Sequence, residues 1–459
     1  MTNAPILSPE QLHAIAQDAL GASTADTMSV ALTHMADGVT RVMNNNVRLN
    51  ASGDTLSLEI QLQFGKRLGM RLETNQIDRA GVHRAVRYLE RVARDLPGDD
   101  TPIGMTFPPP HYGPSTTWHD STAAAFTDAR HHIVPALVEP VRDAGLTAAA
   151  YVGVHLRSVV YLDRAGLTYA GKESDSEIVA TGWSPDERSY GWAGQTARDW
   201  SQLDPAAVSA EARRLSQLAV NPVAFEPGRY TVILARPAVA QFVAAMGGGQ
   251  FDARTAWDHG PLYDPDKQTP RLGQRIWDAR LTLSSDPNDP VAGYLSFNEQ
   301  GNPLIPMTWV TDGVLSHLAY LASTLPGWGV SPTNDAPRAM RMSGGITSLD
   351  EMIANCELGI YVNRFARVQD AFSTTVGELE GVTDGGCFLV RHGKIEKSIK
   401  NLTFRESPWL AFNRIEAIGP AERAPFGYSP WLGSWPLPPV VVPPMMIRDF
   451  NFTAMSDAV

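Results

Sequence analysis

The hydrophobic and polar positions of this chain follow two regimes. Near the start, Ser8-Pro-Glu-Gln-Leu opens an amphipathic stretch running to about residue 20, with Ser8 placed as N-cap and Gln11 three residues on to complete a capping box. Over 27–43 and again over 56–72 the pattern turns to alternation. Leu56, Leu58, Ile60 and Leu62 share one face with polar residues between them, which predicts antiparallel strands with one packed and one partly wet face. Gly65-Lys-Arg-Leu-Gly69 supplies a turn. Val82, Val86, Leu89 and Val92 recur at helical spacing within 77–96, and Pro97-Gly98 stops that helix. The proline-rich run 101–118 predicts an extended crossing and 122–144 a further helix. A meander of strands follows over 147–156, 159–162 and 168–172, and a helix over 206–219 leads to Asn221-Pro222.

After Glu226-Pro-Gly-Arg helices become scarce, and short β-rich runs such as 230–234 and 310–315 alternate with Gly, Pro and Asp turns. The shift predicts an α+β protein of two domains. Residues 1–222 form an N-terminal α/β domain with an antiparallel sheet and flanking helices, and 223–459 a C-terminal, mostly antiparallel β domain. A length of 459 residues, too great for one ordinary core, agrees with that division.

Composition narrows the function classes. With 43% hydrophobic and 19% charged residues the chain has the make-up of a globular protein. A formal net charge of -11, without any long Lys/Arg cluster, argues against a nucleic-acid or anionic-membrane partner. The start, Met1-Thr-Asn-Ala-Pro-Ile-Leu-Ser, lacks the basic and apolar parts of a signal peptide, and no run of about 18 apolar residues could span a bilayer. The expectation is a soluble cytoplasmic protein. The only cysteines, Cys356 and Cys387, rule out a disulfide framework or a multi-cysteine zinc site and read as small buried residues.

Few residues offer chemistry of their own. His131 and His132 are adjacent on a predicted helix, about 100° apart, and cannot share a metal on one face. Asp258-His259 could be a metal-ligand pair or an acid-base dyad, or simply part of a polar surface loop. His155 and His317 sit in apolar contexts that favour hydrogen-bonded core positions. Cys387 and His392, five apart on one strand, point to opposite faces. No Gly-x-Ser-x-Gly elbow, phosphate-binding loop or dinucleotide fingerprint occurs, and Ser343-Gly344-Gly345 reads as a turn or groove loop.

One block is more telling. Glu226-Pro-Gly-Arg-Tyr-Thr-Val-Ile-Leu-Ala-Arg-Pro-Ala-Val-Ala is a turn, a buried strand and a helix with Pro237 in its first turn. It resembles the junction between the two domains of TldD/TldE (PmbA) metalloprotease family proteins. Further blocks occur in the family's order: Thr40-Arg-Val-Met-Asn-Asn-Asn, Gly65-Lys-Arg-Leu-Gly-Met-Arg, Asp312-Gly-Val-Leu, Ser348-Leu-Asp-Glu-Met-Ile and Gly393-Lys-Ile-Glu-Lys-Ser-Ile. The resemblance spans roughly 8–455 and implies the two-domain TldD/TldE fold.

In the catalytic branch, the resemblance implies, the helix after this strand carries His-Glu-x-x-x-His, and a cysteine near the carboxyl terminus adds a zinc ligand. Here the helix reads Ala238-Val-Ala-Gln-Phe-Val-Ala-Ala-Met-Gly-Gly-Gly, and 421–459 has no cysteine. The chain is therefore similar to the TldE-like, zinc-less branch. That implies a non-catalytic subunit, inactive alone, of a heteromeric protease that degrades or trims unfolded peptides. Zinc is expected in a TldD-like partner and no cofactor in this chain. Candidate channel or interface residues are Arg41, Asn45 and Asn46 in the early turn, Trp257 in the polar stretch 250–271, and Tyr428, Trp431 and Trp435 in the late aromatic segment. Trp409 and Phe412 of that segment belong equally to a core or an interface. Two other readings stay open: a self-associating peptide-binding or chaperone-like protein, and a hydrolase with a metal site relocated to Asp258 and His259.

Overall fold

The chain opens with α1 (Pro9–Gly21), whose Ser8 hydroxyl accepts from Gln11 N while the Gln11 side chain accepts from Ser8 N, closing the capping box. The computed structural model describes residues 6–456 apart from 68, 99–116, 127, 248, 299–303, 321–336, 372–375 and 426–438. The predicted crossing over 101–118 thus lies almost wholly outside the described residues. Next come β1 (Thr27–Met43), β2 (Asn46–Gln63) and β3 (Met70–Thr74), then α2 (Arg79–Arg94), capped by Asp78. The β1–β2 turn needs positive φ at both central residues, and Asn44 (50°) and Asn45 (62°) supply it.

The single helix expected over 122–144 is three: α3 (Asp120–Ala124), α4 (Ala129–His132) and α5 (Val134–Arg142). Pro135 lacks the N–H that would bond the carbonyl of His131, so the helix cannot run through and restarts at Val134. The expected meander is also longer than its pattern suggested. β4 (Thr147–Asp163) is unbroken, β5 (Thr168–Trp183) continues well past 172, and β6 (Tyr190–Ala197), unforeseen, closes the sheet before α6 (Pro205–Ala219). What hid β5 is its polar middle: Glu173, Ser174, Asp175 and Ser176 are all buried.

These strands make one antiparallel sheet in the order β3-β2-β1-β4-β5-β6. Val30, Leu32, Leu58 and Ile60 on one face pack with α1 and α2, and Ala150, Val152, Ile178 and Ala180 of the same sheet pack with α5 and α6. The other face carries the acids Glu173 and Asp175 and meets the second half of the chain. There Leu295 and Phe297 pack on Val159, Tyr161 and Tyr169.

From residue 228 onward all strands belong to two larger sheets and a small hairpin. In the seven-stranded sheet β7 (Gly228–Leu234) pairs in parallel with Leu358–Asp370 and antiparallel with Met445–Met455. It then feeds α7 (Arg236–Gly247). Most remaining pairings are antiparallel, so the fold is α+β as the pattern predicted. A single large core surrounds α7, built from Phe242, Phe251, Trp277, Phe404 and Phe450 among others.

Candidate functional site

α7 is where a metal motif would have to sit, and it is sealed into the core. Ala238, Val239, Ala240, Phe242, Val243 and Met246 are fully buried. The Phe242 ring lies 5.4, 5.4, 6.5 and 5.9 Å from those of Phe365, Phe404, Phe412 and Phe450. Gln241, the polar side chain in mid-helix, is taken up by the backbone of Phe365: Nε2 donates to its carbonyl at 2.6 Å and Oε1 accepts from its N–H at 2.7 Å. A catalytic zinc needs about three protein ligands, and α7 has none, so its residues do not fit the ion. Among the described residues no group of three or more His, Cys, Asp or Glu is placed to hold a metal.

At the amino end of α7 the structure opens into a cavity of about 560 Å³. Every residue from Trp192 to Asp199 lines it. Consecutive rather than alternate residues mean that the cavity faces the backbone edge of β6 and not one side of its pleat. β6 is the last strand of its sheet, and among the described residues that edge has no neighbouring strand. Its first outward group is already used, because the Trp192 carbonyl accepts from Asn363 Nδ2 at 2.8 Å. The opposite wall is rich in proline: Pro237, Pro290, Pro420, Pro425 and Pro444.

The charges on this lining are answered within the protein. Arg236 pairs with Glu422 (2.9 Å), Glu211 with Arg214 (2.7 Å), and Arg423 with Asp175 (2.5 Å). Arg198 stands 3.6 Å from Glu173, and His119 4.0 Å from Asp199. Hydroxyls of Ser121 and Ser201 donate to Asp199 and hold its carboxyl below the usual range. Burial lowers the pKa of Arg423, with Asp175 beside it opposing the shift. Tyr361 differs. It lines the cavity, is 1% exposed and stacks on Phe388, yet its hydroxyl has no hydrogen-bond partner among the described residues. Burial pushes its phenol pKa upward.

The residues singled out from sequence are scattered. Asn45 is a turn residue: its Oδ1 accepts from Ala148 N at 2.7 Å, while Asn46 Nδ2 donates to the Asn44 carbonyl. Arg41 lies with its guanidinium 5.9 Å from the Tyr151 ring. It shares a cross-strand row with Gly194 but is three strands away, roughly 14 Å, so it does not reach the cavity. Trp257 is 42% exposed at the end of a short helix. Asp258 faces Arg254 at 3.6 Å, and His259 sits edge-on to Tyr263 at 4.2 Å. Neither belongs to a three-ligand group.

Tyr428, Trp431 and Trp435 lie outside the described residues. Trp409 and Phe412 prove to be core: Trp409 stacks on Trp277 at 5.4 Å and donates to Gln250 Oε1 at 2.7 Å. A second cavity, about 460 Å³, touches Cys387, whose thiol burial pushes up to about 12 and out of nucleophile range. His392, in an exposed turn, pairs with Glu357 instead. The cavity residues of β6 and Tyr361 were missed from sequence. Their one visible trace is the acidic row Glu173, Asp175, Glu177, which at strand spacing puts three carboxylates on one face and so demands cations from elsewhere.

Comparison with known proteins agrees with this geometry. Residues 227–454 match the PmbA/TldA metallopeptidase C-terminal domain. A metalloprotease of Synechocystis is 23% identical over 268 residues, 55% of this chain and 54% of that protein, so the match spans about half the relative's length. The fold is that of TldE from Thermococcus kodakarensis, with a TM-score of 0.77 at 14% identity over 96% of this chain and 100% of that one. A Bacteroides thetaiotaomicron protein named as a candidate modulator of DNA gyrase gives 0.74 at 16% identity, over 97% and 100%. The chain belongs to the TldD/TldE (PmbA) family of metallopeptidase-like proteins.

Proposed function

We infer that this chain is the non-catalytic, TldE-like subunit of a heteromeric TldD/TldE-type metalloprotease, one that forms part of a peptide-handling complex and leaves hydrolysis to a zinc-bearing partner. The observation that carries the reading is α7. The helix that bears His-Glu-x-x-x-His in the catalytic branch is here packed on Phe365, Phe404, Phe412 and Phe450, with its central glutamine bonded to the backbone. Placing two ligand histidines and a general base in that environment would bury unpaired polar groups at a cost of about 1–3 kcal/mol each. The absence of cysteine after Cys387 points the same way.

The test is native mass spectrometry of the tagged chain purified from its own cells, with zinc counted in each species. A hetero-complex holding one zinc per partner chain and none per copy of this chain is the expected result. A zinc-free homo-oligomer would replace the reading with that of a self-associating peptide-binding protein. Metal bound by this chain alone would overturn it and direct attention to Asp258 and His259.

A further inference from the structure

We propose that the second cavity, between the β5–β6 turn and the strand Leu379–Arg391, is a binding site for a small phosphorylated polyol. The inference goes beyond the subunit reading and does not depend on it. At about 460 Å³ the cavity has the size of a small-molecule site. Most such sites are lined by apolar side chains, but this lining is dominated by charged groups, hydroxyls and carboxamides, so the ligand it suits is polar throughout.

Two buried hydroxyls point to a ligand most directly. Ser189 and Ser398 both line the cavity and are 7% and 5% exposed. Neither hydroxyl has a hydrogen-bond partner among the described residues. A buried polar group without a partner is costly, and a polar molecule in the cavity would satisfy both. The turn that carries Ser189 is already fixed. Ser184 N donates to the Ser189 carbonyl at 2.8 Å, while the Ser184 hydroxyl accepts from Ser189 N at 3.1 Å and donates to Asp186 Oδ1 at 2.6 Å. Another part of the wall is bare backbone, at Gly385 and Gly386, which bulge opposite Asn363. Bulges recur beside binding sites.

The charges set the class of ligand. Arg188 and Lys400 are the cations of the lining and Asp186 its acid, an excess of one positive charge. Arg188 makes no ion pair among the described residues, its charge reaching Asp186 only at longer range. A phosphate monoester, with a charge of about −2 at neutral pH, would engage both cations, where a carboxylate needs one. Asp186 uses Oδ1 for Ser184 and for Arg188 N, which leaves Oδ2 to accept from a ligand hydroxyl. The lining thus reads one doubly charged group and several hydroxyls.

The experiment measures heat as the isolated full chain is titrated with glucose 6-phosphate, glucose, gluconate or inorganic phosphate at fixed ionic strength. Glucose 6-phosphate should bind with a dissociation constant on the order of 0.1–1 mM, phosphate about tenfold more weakly, and glucose without detectable heat. Arg188→Gln should weaken glucose 6-phosphate at least about tenfold and Ser189→Ala about fivefold, with unchanged far-ultraviolet circular dichroism. Arg91→Gln, on the exposed side of α2, should change nothing, which separates the cavity from general attraction to a basic surface. Vesicles carrying phosphatidylinositol 4-phosphate present the same chemistry on a lipid. Co-sedimentation that Arg188→Gln abolishes would identify the source as a headgroup, and no co-sedimentation would identify it as a free small molecule. No saturable binding of glucose 6-phosphate at millimolar concentration, gluconate binding as tightly, or equal losses in Arg91→Gln and Arg188→Gln would overturn the proposal. None of these outcomes touches zinc stoichiometry, so the subunit reading stands or falls separately.

Discussion

Two buried arginine–aspartate pairs lie where the β5–β6 margin meets the second half of the chain, and they differ in how the arginine is held. At the first, Asp175 is well supplied with donors. Its Oδ1 accepts from Ser176 N at 2.8 Å, its Oδ2 from Arg423 Nη2 at 2.5 Å, and Arg198 stands 3.8 Å away. Arg423 in turn donates to Thr196 Oγ1 at 2.7 Å, tying the segment after residue 420 to the edge of β6. At the second, Asp384 meets Arg364 and accepts from the Tyr190 hydroxyl. Arg364 there stacks 4.5 Å over the Trp192 ring and leaves its Nε without a partner. Burial pushes Asp384 up to about 6, opposed by a hydrogen bond from the Gly385 backbone, and Arg364 down to about 10, opposed by the charge of Glu177. The two joints thus differ at the arginine that contacts the aspartate: Arg423 is bonded to both Asp175 and Thr196, whereas Arg364 keeps an unpartnered Nε. A buried ion pair is firm only when its remaining hydrogen-bonding capacity is met.

The largest expected effect comes from breaking the first joint. Arg423→Met keeps the volume and removes the charge, leaving Asp175 with the Ser176 N–H and the more distant Arg198 cation. Loss of one partner from a buried pair costs about 3–5 kcal/mol, and the lower end is expected because Arg198 remains. Urea unfolding at pH 7 measures it. A loss below about 1 kcal/mol would show that Asp175 is served by solvent rather than by Arg423, and the contrast between the joints would disappear.

How much of this was legible in the sequence depends on which force shaped each element. α1 and β1 were readable to within a residue or two because a capping box and strict alternation are local signals. β6 was not, because Tyr190-Gly-Trp-Ala-Gly-Gln places glycines where a strand pattern would have apolar side chains. The structure gives the reason: a Cβ on Gly191 would lie 2.2 Å from Ser216 N, so α6 packs directly on the strand's backbone. Glycine there serves close approach, not a turn. The broken helix before β4 is marked in the sequence by Pro135.

The site divides in the same manner. That α7 lacks ligands is plain from its letters, whereas Tyr361 looks like any aromatic in a strand. Its place at the cavity exists only once β7 and Leu358–Asp370 are brought together, pairing Tyr361 with Ile233 in register. Trp409 and Phe412 could not be assigned to core or surface from an aromatic, proline-rich segment, since both settings select such residues.

The second joint should reveal itself through pH. The folded-state pKa of Asp384, about 6, lies above an ordinary aspartate value. The protonated form is therefore favoured by folding. Any contribution from this group is fully present below about pH 4 and is lost as pH rises to about 6, with a span of up to about 3 kcal/mol. Asp384→Asn removes that titration. The stability difference between wild type and variant should favour wild type at pH 4 and shrink or reverse by pH 7. Arg364, held at about 10, stays charged across that window, whereas Glu177 beside it is a carboxyl of the type that titrates there, so the comparison is made in a Glu177→Gln background. A difference that stays flat from pH 4 to 7 would mean that the Arg364 charge holds the carboxyl ionised, and that the two joints are alike after all.

The smallest effect separates tethering from solvation. Tyr190 is the only link to Asp384 that comes from the N-terminal sheet among the described residues, and its ring also lies 4.3 Å from Trp183. Tyr190→Phe keeps the ring packing and removes one hydrogen bond to a carboxylate, a loss of about 1–2 kcal/mol if that carboxylate is ionised and less if it is protonated. The cost should therefore be larger at pH 7.5 than at pH 5, the reverse of the trend for Asp384→Asn. Combining the two substitutions gives the coupling directly, because contacting residues depart from additivity by about 0.5–3 kcal/mol. A coupling near zero at both pH values would leave the hydroxyl as mere packing.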